Sequence, residues 1–296
     1  MAKYGMIMDV TKCNGCYNCF LACRDEYCGN EFSPYSASQP MTGQFWMRVI
    51  EKERGKFPMV KVAYTAVPCM HCENASCVKM AQNGAIFKRP DGIVIIDPQK
   101  AQGHKELLST CPYRVIYWNE EKQLPQKCTL CAHLLDKGWK EPRCVEACPT
   151  GALIFGDLDD PNSEISKLLA SGKTEALHPD YGLNEKVRYI GLPKRFIAGA
   201  VVFGDTDACA EGANVILEGE CGKKIGLTNN YGDFEFEGLA ADKAYTVGVE
   251  TPGYKSQKFE VKTNIDVYLG DIFLVKSAAK NKMNGKFLNK SIYPVS

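Results

Sequence analysis

The sequence predicts an α+β protein with two domains and a basic tail. All cysteines except Cys209 and Cys221 fall within residues 1–195, among short segments of strand and turn character. Residues 196–275 instead alternate apolar and polar side chains in short β-branched segments, which is typical of an all-β domain. The last 21 residues, 276–296, carry five lysines and no acid, and we expect them to form a solvated, disordered tail.

Length and charge limit the classes of protein that this chain can represent. Its 296 residues are enough for about two domains. The 36 basic and 35 acidic residues nearly cancel, so no net field favours binding to a nucleic acid. No apolar stretch approaches the roughly 18 residues of a membrane helix, and the first residues contain no apolar signal segment. We therefore expect a soluble, cytoplasmic protein without a nucleic-acid partner.

The first domain should contain two β-hairpins and three short helices. Alternating segments on either side of Gly-containing turns predict the hairpins, which pair residues 45–53 with 59–67 and 86–88 with 93–97. Helices are expected after two cysteine runs, at 19–24 and 129–135. A third should begin near Asn162 or Ser163, because such a residue before Glu164 is a capping signal.

Seven segments of the second domain have the pattern of strands separated by turns rich in Gly, Asn and Asp. Their number and regular spacing predict an antiparallel β-sandwich. The segments are IAGAVVF, ANVILEG, KKIGLT, FEFEG, AYTVGVE, KFEV and IDVYLGDIFL.

Twelve cysteines of the first domain form motifs typical of cubane iron–sulfur clusters. A Cys-x2-Cys-x2-Cys loop can reach three corners of a cubane with backbone N–H groups directed at the sulfurs, and a distant Cys-Pro supplies the fourth corner. A zinc protein would use isolated Cys pairs with four thiolates per ion, which explains the complete runs less well. The motifs are Cys-x2-Cys-x2-Cys-x3-Cys from Cys13 to Cys23, Cys-x2-Cys-x4-Cys from Cys69 to Cys77, Cys111-Pro, and Cys-x2-Cys-x12-Cys-x3-Cys-Pro from Cys128 to Cys148.

The ligands of each cluster follow from an exchange between runs. In two-cluster ferredoxins the fourth cysteine of each run ligates the cluster of the other run. This rule predicts three [4Fe–4S] clusters. Their ligands are Cys13, Cys16, Cys19 and Cys148 at site 1; Cys23, Cys128, Cys131 and Cys144 at site 2; and Cys69, Cys72, Cys77 and Cys111 at site 3.

All four cysteine ligands of a fourth cluster site are missing. By symmetry with the other runs, its cysteines should stand at Ala81, Ala101, His104 and Leu107. All four of these positions are replaced, while every ligand of site 3 is kept. Random loss would not sort in this way, so we expect that one whole cluster has been deleted.

Residues 1–195 resemble the four-cluster ferredoxin subunits of molybdopterin oxidoreductases of the dimethyl-sulfoxide-reductase family. The strings that carry the resemblance are CNGCYNC, PCMHCENASC, GAIFKRPDGIVIID, CPYRVIYW, QKCTLCAHLL and CVEACPTGALIFGDLDDPNS. Residues 196–275 resemble carboxypeptidase-regulatory-like β-sandwich modules.

The resemblance implies a fold, a partner and a cofactor on that partner. The fold would be a tandem bacterial-type ferredoxin-like domain, and a large catalytic subunit carrying molybdopterin would be the partner in a heterodimer. In that family the cluster that is missing here usually stands nearest a membrane anchor, so we expect no membrane anchor. The cluster corresponding to site 1 usually stands nearest the catalytic subunit.

These features predict an electron-transfer subunit that has no catalytic residues of its own. Two alternatives remain open. The chain could serve another soluble molybdenum or tungsten oxidoreductase that uses an external electron donor. It could also be a structural docking subunit whose clusters only staple the fold.

Several remaining residues have competing interpretations. Cys28, Cys209 and Cys221 exceed the ligand sets, and we expect them to be free thiols in a reducing cytosol. His71 could hydrogen-bond to a cluster sulfur or simply pack within its loop. For His104 we favour an ordinary surface or core histidine over a metal ligand.

Overall fold

The computed structural model describes residues 2–220 and 222–277. Two compact units divide the chain: residues 1–54 with 60–193 form the first unit, and residues 55–59 with the chain from Lys194 onward form the second. The predicted boundary lay two residues further along and did not include 55–59. Cys221 and the predicted tail beyond residue 277 lie outside the described residues.

A three-stranded sheet joins the two ends of the first unit. Its central strand β1 (Tyr4–Asp9) pairs antiparallel with β8 (Leu153–Asp157) and parallel with β9 (Val187–Ile190). Strand β1 leads into the first cysteine run, and β8 begins shortly after Cys148. The pairing of these strands therefore brings the first and last cysteine runs to the same end of the sheet.

Three two-stranded hairpins complete the strands described in the first unit. They are β2 (Arg48–Lys56) with β3 (Met59–Val67), β4 (Ile86–Lys88) with β5 (Val94–Ile96), and β6 (Tyr117–Asn119) with β7 (Leu124–Gln126). The first two are the predicted hairpins, although β2 continues to Lys56, through the predicted turn. The third escaped prediction because one of its strands contains Pro125, and proline has no backbone N–H to donate within a sheet.

Short helices flank the cysteine runs. They are α1 (Asn18–Tyr27), α2 (Ser76–Met80), α3 (Ala132–Leu135), α4 (Arg143–Glu146) and α5 (Glu164–Ala170). The predicted cap is present, since the Ser163 side chain accepts a hydrogen bond from the Ser166 amide at 3.2 Å. Helix α3 starts later than predicted because Leu130 and Cys131 have left-handed backbone angles, which an α-helix cannot include.

The second unit is a sandwich of two sheets with one apolar core. Its strands are β10 (Arg195–Phe203), β11 (Asn214–Gly219), β12 (Gly222–Leu227), β13 (Asp233–Leu239), β14 (Ala244–Glu250), β15 (Gln257–Lys262) and β16 (Val267–Leu274). One sheet has the order β13-β10-β16 and the other the order β12-β11-β14-β15.

Two expectations about this unit need correction. Strands β10 and β16 pair in parallel, so the sandwich is not wholly antiparallel. Alternation of side chains defines the faces of a strand but not the direction of its partner. The predicted tail also begins too early, because the Lys276 ammonium lies 2.8 Å from the Asp205 carboxylate and the Ser277 amide donates to the Gly253 carbonyl.

None of the helices in residues 2–220 and 222–277 is long and apolar enough to cross a membrane.

A matched pair of leucines tests the sandwich core. Leu217 on β11 is 2% exposed, whereas Leu227 on the neighbouring strand β12 is 64% exposed. We expect Leu217→Ala to lower the free energy of unfolding of this unit by about 2–5 kcal/mol, because it removes buried apolar atoms and leaves a cavity. Leu227→Ala should change it by less than about 0.5 kcal/mol. Urea unfolding followed by circular dichroism measures both, and equal effects would contradict this core.

Candidate metal centres

At site 1 the structure brings together the four thiols that the exchange rule assigns to it. Cys13 and Cys16 lie in the loop before α1, Cys19 lies in its first turn, and Cys148 follows α4. Burial, with smaller contributions from the charges of Cys13, Cys148 and Cys16, raises the pKa of the Cys19 thiol to about 11. Such electrostatic coupling requires the four thiols to be close neighbours.

Backbone geometry directs donors toward the site 1 sulfurs. The Gly15 amide hydrogen-bonds to Cys13, and Gly15 itself has a positive φ of 72°. A Cβ at this position would lie 2.6 Å from the Tyr64 ring, so only glycine fits. Although burial raises the pKa of Cys148, hydrogen bonds from the Leu153 amide and the Thr150 hydroxyl and amide leave it below its usual value. These donors favour a thiolate at Cys148.

Site 2 is the most deeply buried of the three. Cys23 on α1, Cys144 on α4, and Cys128 and Cys131 in the loop before α3 are all buried. Burial raises the pKa of Cys128 to about 12 and the pKa values of Cys23 and Cys144 well above their usual value. After burial, the charges of Cys128 and Cys131 raise the pKa values of both Cys23 and Cys144, so these residues lie within electrostatic range of one another.

Site 3 surrounds a small cavity of about 20 Å³. Cys69, Cys72, Cys77 and Cys111 all line it. Burial raises the pKa of Cys77 to about 11, and the charges of Cys69 and Cys111 add to that rise. The cavity and the coupled thiols place four potential ligands around one space.

Site 2 neighbours both of the other sites. The charge of Cys19, a site 1 residue, raises the pKa values of Cys23 and Cys144 after the larger effect of burial. In the same way, after burial, the charge of Cys69 at site 3 raises the pKa of Cys128. Site 2 thiols therefore lie within electrostatic range of thiols of both other sites.

The positions of the missing fourth site hold no thiols and pack as an apolar core. Ala101 and Leu107 are buried in a cluster that includes Ile86 and Val94, and Ala81 packs against it. His104 is instead on the surface, with its Nδ1 atom 2.7 Å from a carboxylate oxygen of Glu106. It is thus the surface histidine that we favoured.

Buried polar atoms test whether iron–sulfur clusters fit these sites. The Val94 amide donates to Nδ1 of His71 at 3.0 Å, so a neutral His71 carries its proton on Nε2. Nε2 is buried and has no partner among the described residues. An unpaired buried donor is costly, and a cluster sulfur next to Cys72 would be a suitable acceptor. The residues present therefore fit clusters of this kind.

The spacing of the thiols also differs from that of a single-ion site. Across the part of the chain that the structure describes, no three His, Cys, Asp or Glu side chains converge closely enough to hold one metal ion. All fourteen cysteines described are free thiols. In a cubane, each thiolate binds a different iron at its own corner, so the thiols stand further apart than around one zinc ion.

Comparison with known proteins gives one family profile and several similar chains. A profile described as a 4Fe-4S dicluster domain matches residues 60–158. The small subunit of pyrogallol hydroxytransferase from Pelobacter acidigallici is 42% identical over 283 residues, which cover 93% of this chain and 100% of that protein. The iron–sulfur subunit of arsenate respiratory reductase from a Shewanella strain is 31% identical, over 64% of this chain and 96% of its own. One of the subunits of sulfite dehydrogenase from Allochromatium vinosum is 33% identical, over 66% of this chain and 85% of its own.

The pyrogallol hydroxytransferase match decides the family, because it extends over almost the whole of both chains. The chain belongs to the iron–sulfur subunits of molybdopterin enzymes. Members of this family are electron-transfer subunits that work with a catalytic partner.

The surplus cysteines of this iron–sulfur subunit have other surroundings. The Cys28 sulfur lies 3.5 Å from the Arg24 guanidinium and 3.2 Å from the Met41 sulfur. Cys209 is exposed in the second unit. Sequence reasoning missed one residue at the centres: Lys127, which is buried and lines the site 3 cavity. Its position directly before Cys128 was the available signal.

Iron content after single substitutions tests the ligand sets. Cys77→Ser should lower iron by about one cluster, since a serine hydroxyl is a poor substitute for a thiolate at site 3. Cys28→Ser is the matched control and should leave iron unchanged. Anaerobic iron analysis of both variants measures this. A loss of iron from the Cys28 variant, or none from the Cys77 variant, would show that the ligands are assigned wrongly.

Proposed function

We propose that this chain holds three [4Fe–4S] clusters and is the electron-transfer subunit of a pyrogallol hydroxytransferase. Hydroxyl transfer between polyphenols would take place on a large partner subunit that carries molybdopterin. The observation that carries the proposal is the 42% identity to the pyrogallol hydroxytransferase small subunit over 93% of this chain. The cavity lined by four cysteines at site 3 and the apolar core around Ala101 and Leu107 support the proposed number of clusters.

The second unit favours this activity over those of the other relatives. A match that covers 93% of the chain must include most of the sandwich, because less than a tenth of the chain lies outside it. The arsenate and sulfite enzymes' subunits cover only 64% and 66% of the chain. The sandwich is therefore a feature that this chain shares with the pyrogallol hydroxytransferase small subunit.

The residues of this chain hold and order the electron carriers. Bound clusters would supply one-electron carriers at sites 1, 2 and 3. The four thiols of site 2 are buried away from water, and amides such as those of Gly15 and Leu130 donate to the sulfurs of Cys13 and Cys128. Because transhydroxylation needs no net external electrons, these carriers would set the redox state of the molybdenum rather than supply electrons in each turnover.

The replaced fourth site supports a complex of two subunits without a membrane anchor. In the related four-cluster subunits the fourth cluster usually faces the anchor, and here its ligand positions pack as apolar core or face solvent. The free state of all the cysteines described is in keeping with a reducing compartment, and we propose the cytoplasm.

A second function is favoured by the relatives themselves. The similarity to arsenate respiratory reductase and sulfite dehydrogenase subunits is in keeping with an oxidoreductase that exchanges electrons with an external donor or acceptor. In that case the clusters would carry electrons in every turnover.

Iron analysis of the whole chain tests the number of clusters. Three cubanes predict about twelve irons and about twelve acid-labile sulfides per chain. The chain should be purified anaerobically, and reduction followed by EPR should show that the clusters titrate. About sixteen irons would contradict the deletion of the fourth cluster. Clusters that accept no electron would favour a purely structural role.

Activity of the complex tests the proposed reaction. The chain together with its large subunit should convert pyrogallol to phloroglucinol without a continuous supply of electrons, because the reaction has no net redox change. The chain alone should show no turnover, since we identify no constellation of catalytic residues among residues 2–220 and 222–277. A requirement for a stoichiometric electron donor would favour the second function instead.

A further inference from the structure

Lys127 is a buried cation that lacks a carboxylate partner. It is 2% exposed, and its ammonium donates to the carbonyl oxygens of Val94 and Cys128, the latter at 3.0 Å. Within the described residues no carboxylate pairs with it. Burying an unpaired charge is costly, so such a residue needs compensation from negative charge nearby.

The surroundings of Lys127 identify the source of that negative charge. The side chain lines the site 3 cavity together with its four cysteines, and its ammonium binds the backbone of Cys128, a site 2 residue. Its charge also opposes the effect of burial on the pKa values of Cys77, Cys111 and Cys128. Lys127 therefore lies between two sites at which thiolates would bind iron.

On the basis of the proposed three-cluster function, we infer that Lys127 is a shared counter-cation that raises the reduction potentials of the clusters at sites 2 and 3. Reduction adds one electron to a cluster that four thiolates already make anionic. A buried cation close by stabilises the reduced form more than the oxidised form. Lys127 is not among the charges that act on the site 1 thiols Cys13 and Cys19, so the potential of site 1 should not depend on it.

The charge of Lys127 would influence which of the three clusters holds an added electron. Site 1 corresponds to the cluster that usually stands nearest the catalytic subunit. A cation that favours reduction at sites 2 and 3 biases electrons away from site 1. Lys127 thereby helps to determine how readily an electron returns to site 1.

Redox titration of the cluster-loaded complex tests the inference. Lys127→Gln keeps hydrogen-bond donors but removes the charge, and Lys127→Arg keeps the charge. Lys79→Gln is the matched control, because Lys79 is exposed and stands two residues after the site 3 ligand Cys77. Each protein is titrated with dithionite and monitored by EPR, after iron analysis of the unaltered complex has established its cluster number independently.

The expected pattern is specific to charge and to site. Lys127→Gln should move two of the three midpoint potentials to more negative values, while Lys127→Arg and Lys79→Gln should leave all three near those of the unaltered complex. Unchanged potentials in Lys127→Gln would overturn the inference, and so would an equal shift of all three clusters or an equal shift in Lys127→Arg. None of these results would by itself contradict the three-cluster proposal, which rests on the iron analysis.

If Lys127→Gln loses a cluster, its potentials cannot be compared with those of the unaltered complex. A second measurement therefore uses the unaltered sequence. The complex is labelled with ¹⁵N-lysine and reduced, and pulsed EPR is used to detect nitrogen coupling to the cluster spins. A ¹⁵N coupling that disappears in labelled Lys127→Arg would support the inference. The absence of any lysine coupling in the unaltered complex would overturn it.

Discussion

The grouping of cysteine thiols, most of them partly or fully buried, is the constraint on which the first unit depends. Burial and neighbouring thiols raise the pKa values of most of these residues, so their charged forms are disfavoured without a compensating cation. Metal ligation reverses this preference, because iron binds the thiolate and couples its own binding energy to folding. The short strands and helices around the three sites therefore support the ligands as well as building an apolar core.

Local backbone geometry also helps to position the cysteine ligands. Tyr17, Leu130 and Cys131 have positive φ angles in or beside the cysteine runs, a conformation that costs energy for residues other than glycine. These turns set where the helices begin and direct amides toward sulfur. The pairing of β1 with β8 then closes the unit by bringing Cys13 and Cys148 to one end of the sheet. Ligand geometry therefore explains features that helix and strand propensities do not.

The sequence predicted the features that depend on local spacing and left out those that depend on packing. Cysteine spacing predicts three ligand sets, and side-chain alternation located the seven strands of the sandwich. One-turn helices such as α2 and α4, and the β6–β7 hairpin, were missed because tertiary contacts hold elements of this size. The parallel pairing of β10 with β16 was missed because alternation carries no direction. The burial of Lys127 was missed because a lysine is almost always solvated.

The most direct test of this account is the position of iron in the protein. Crystals of the anaerobically prepared complex, measured at the iron absorption edge, should show three cubane-sized anomalous peaks. They should lie at Cys13 with Cys148, at Cys23 with Cys144, and at Cys69 with Cys111, and none should lie beside Ala101. A fourth peak in the apolar core, or iron bound by a different grouping of the twelve thiols, would contradict the account.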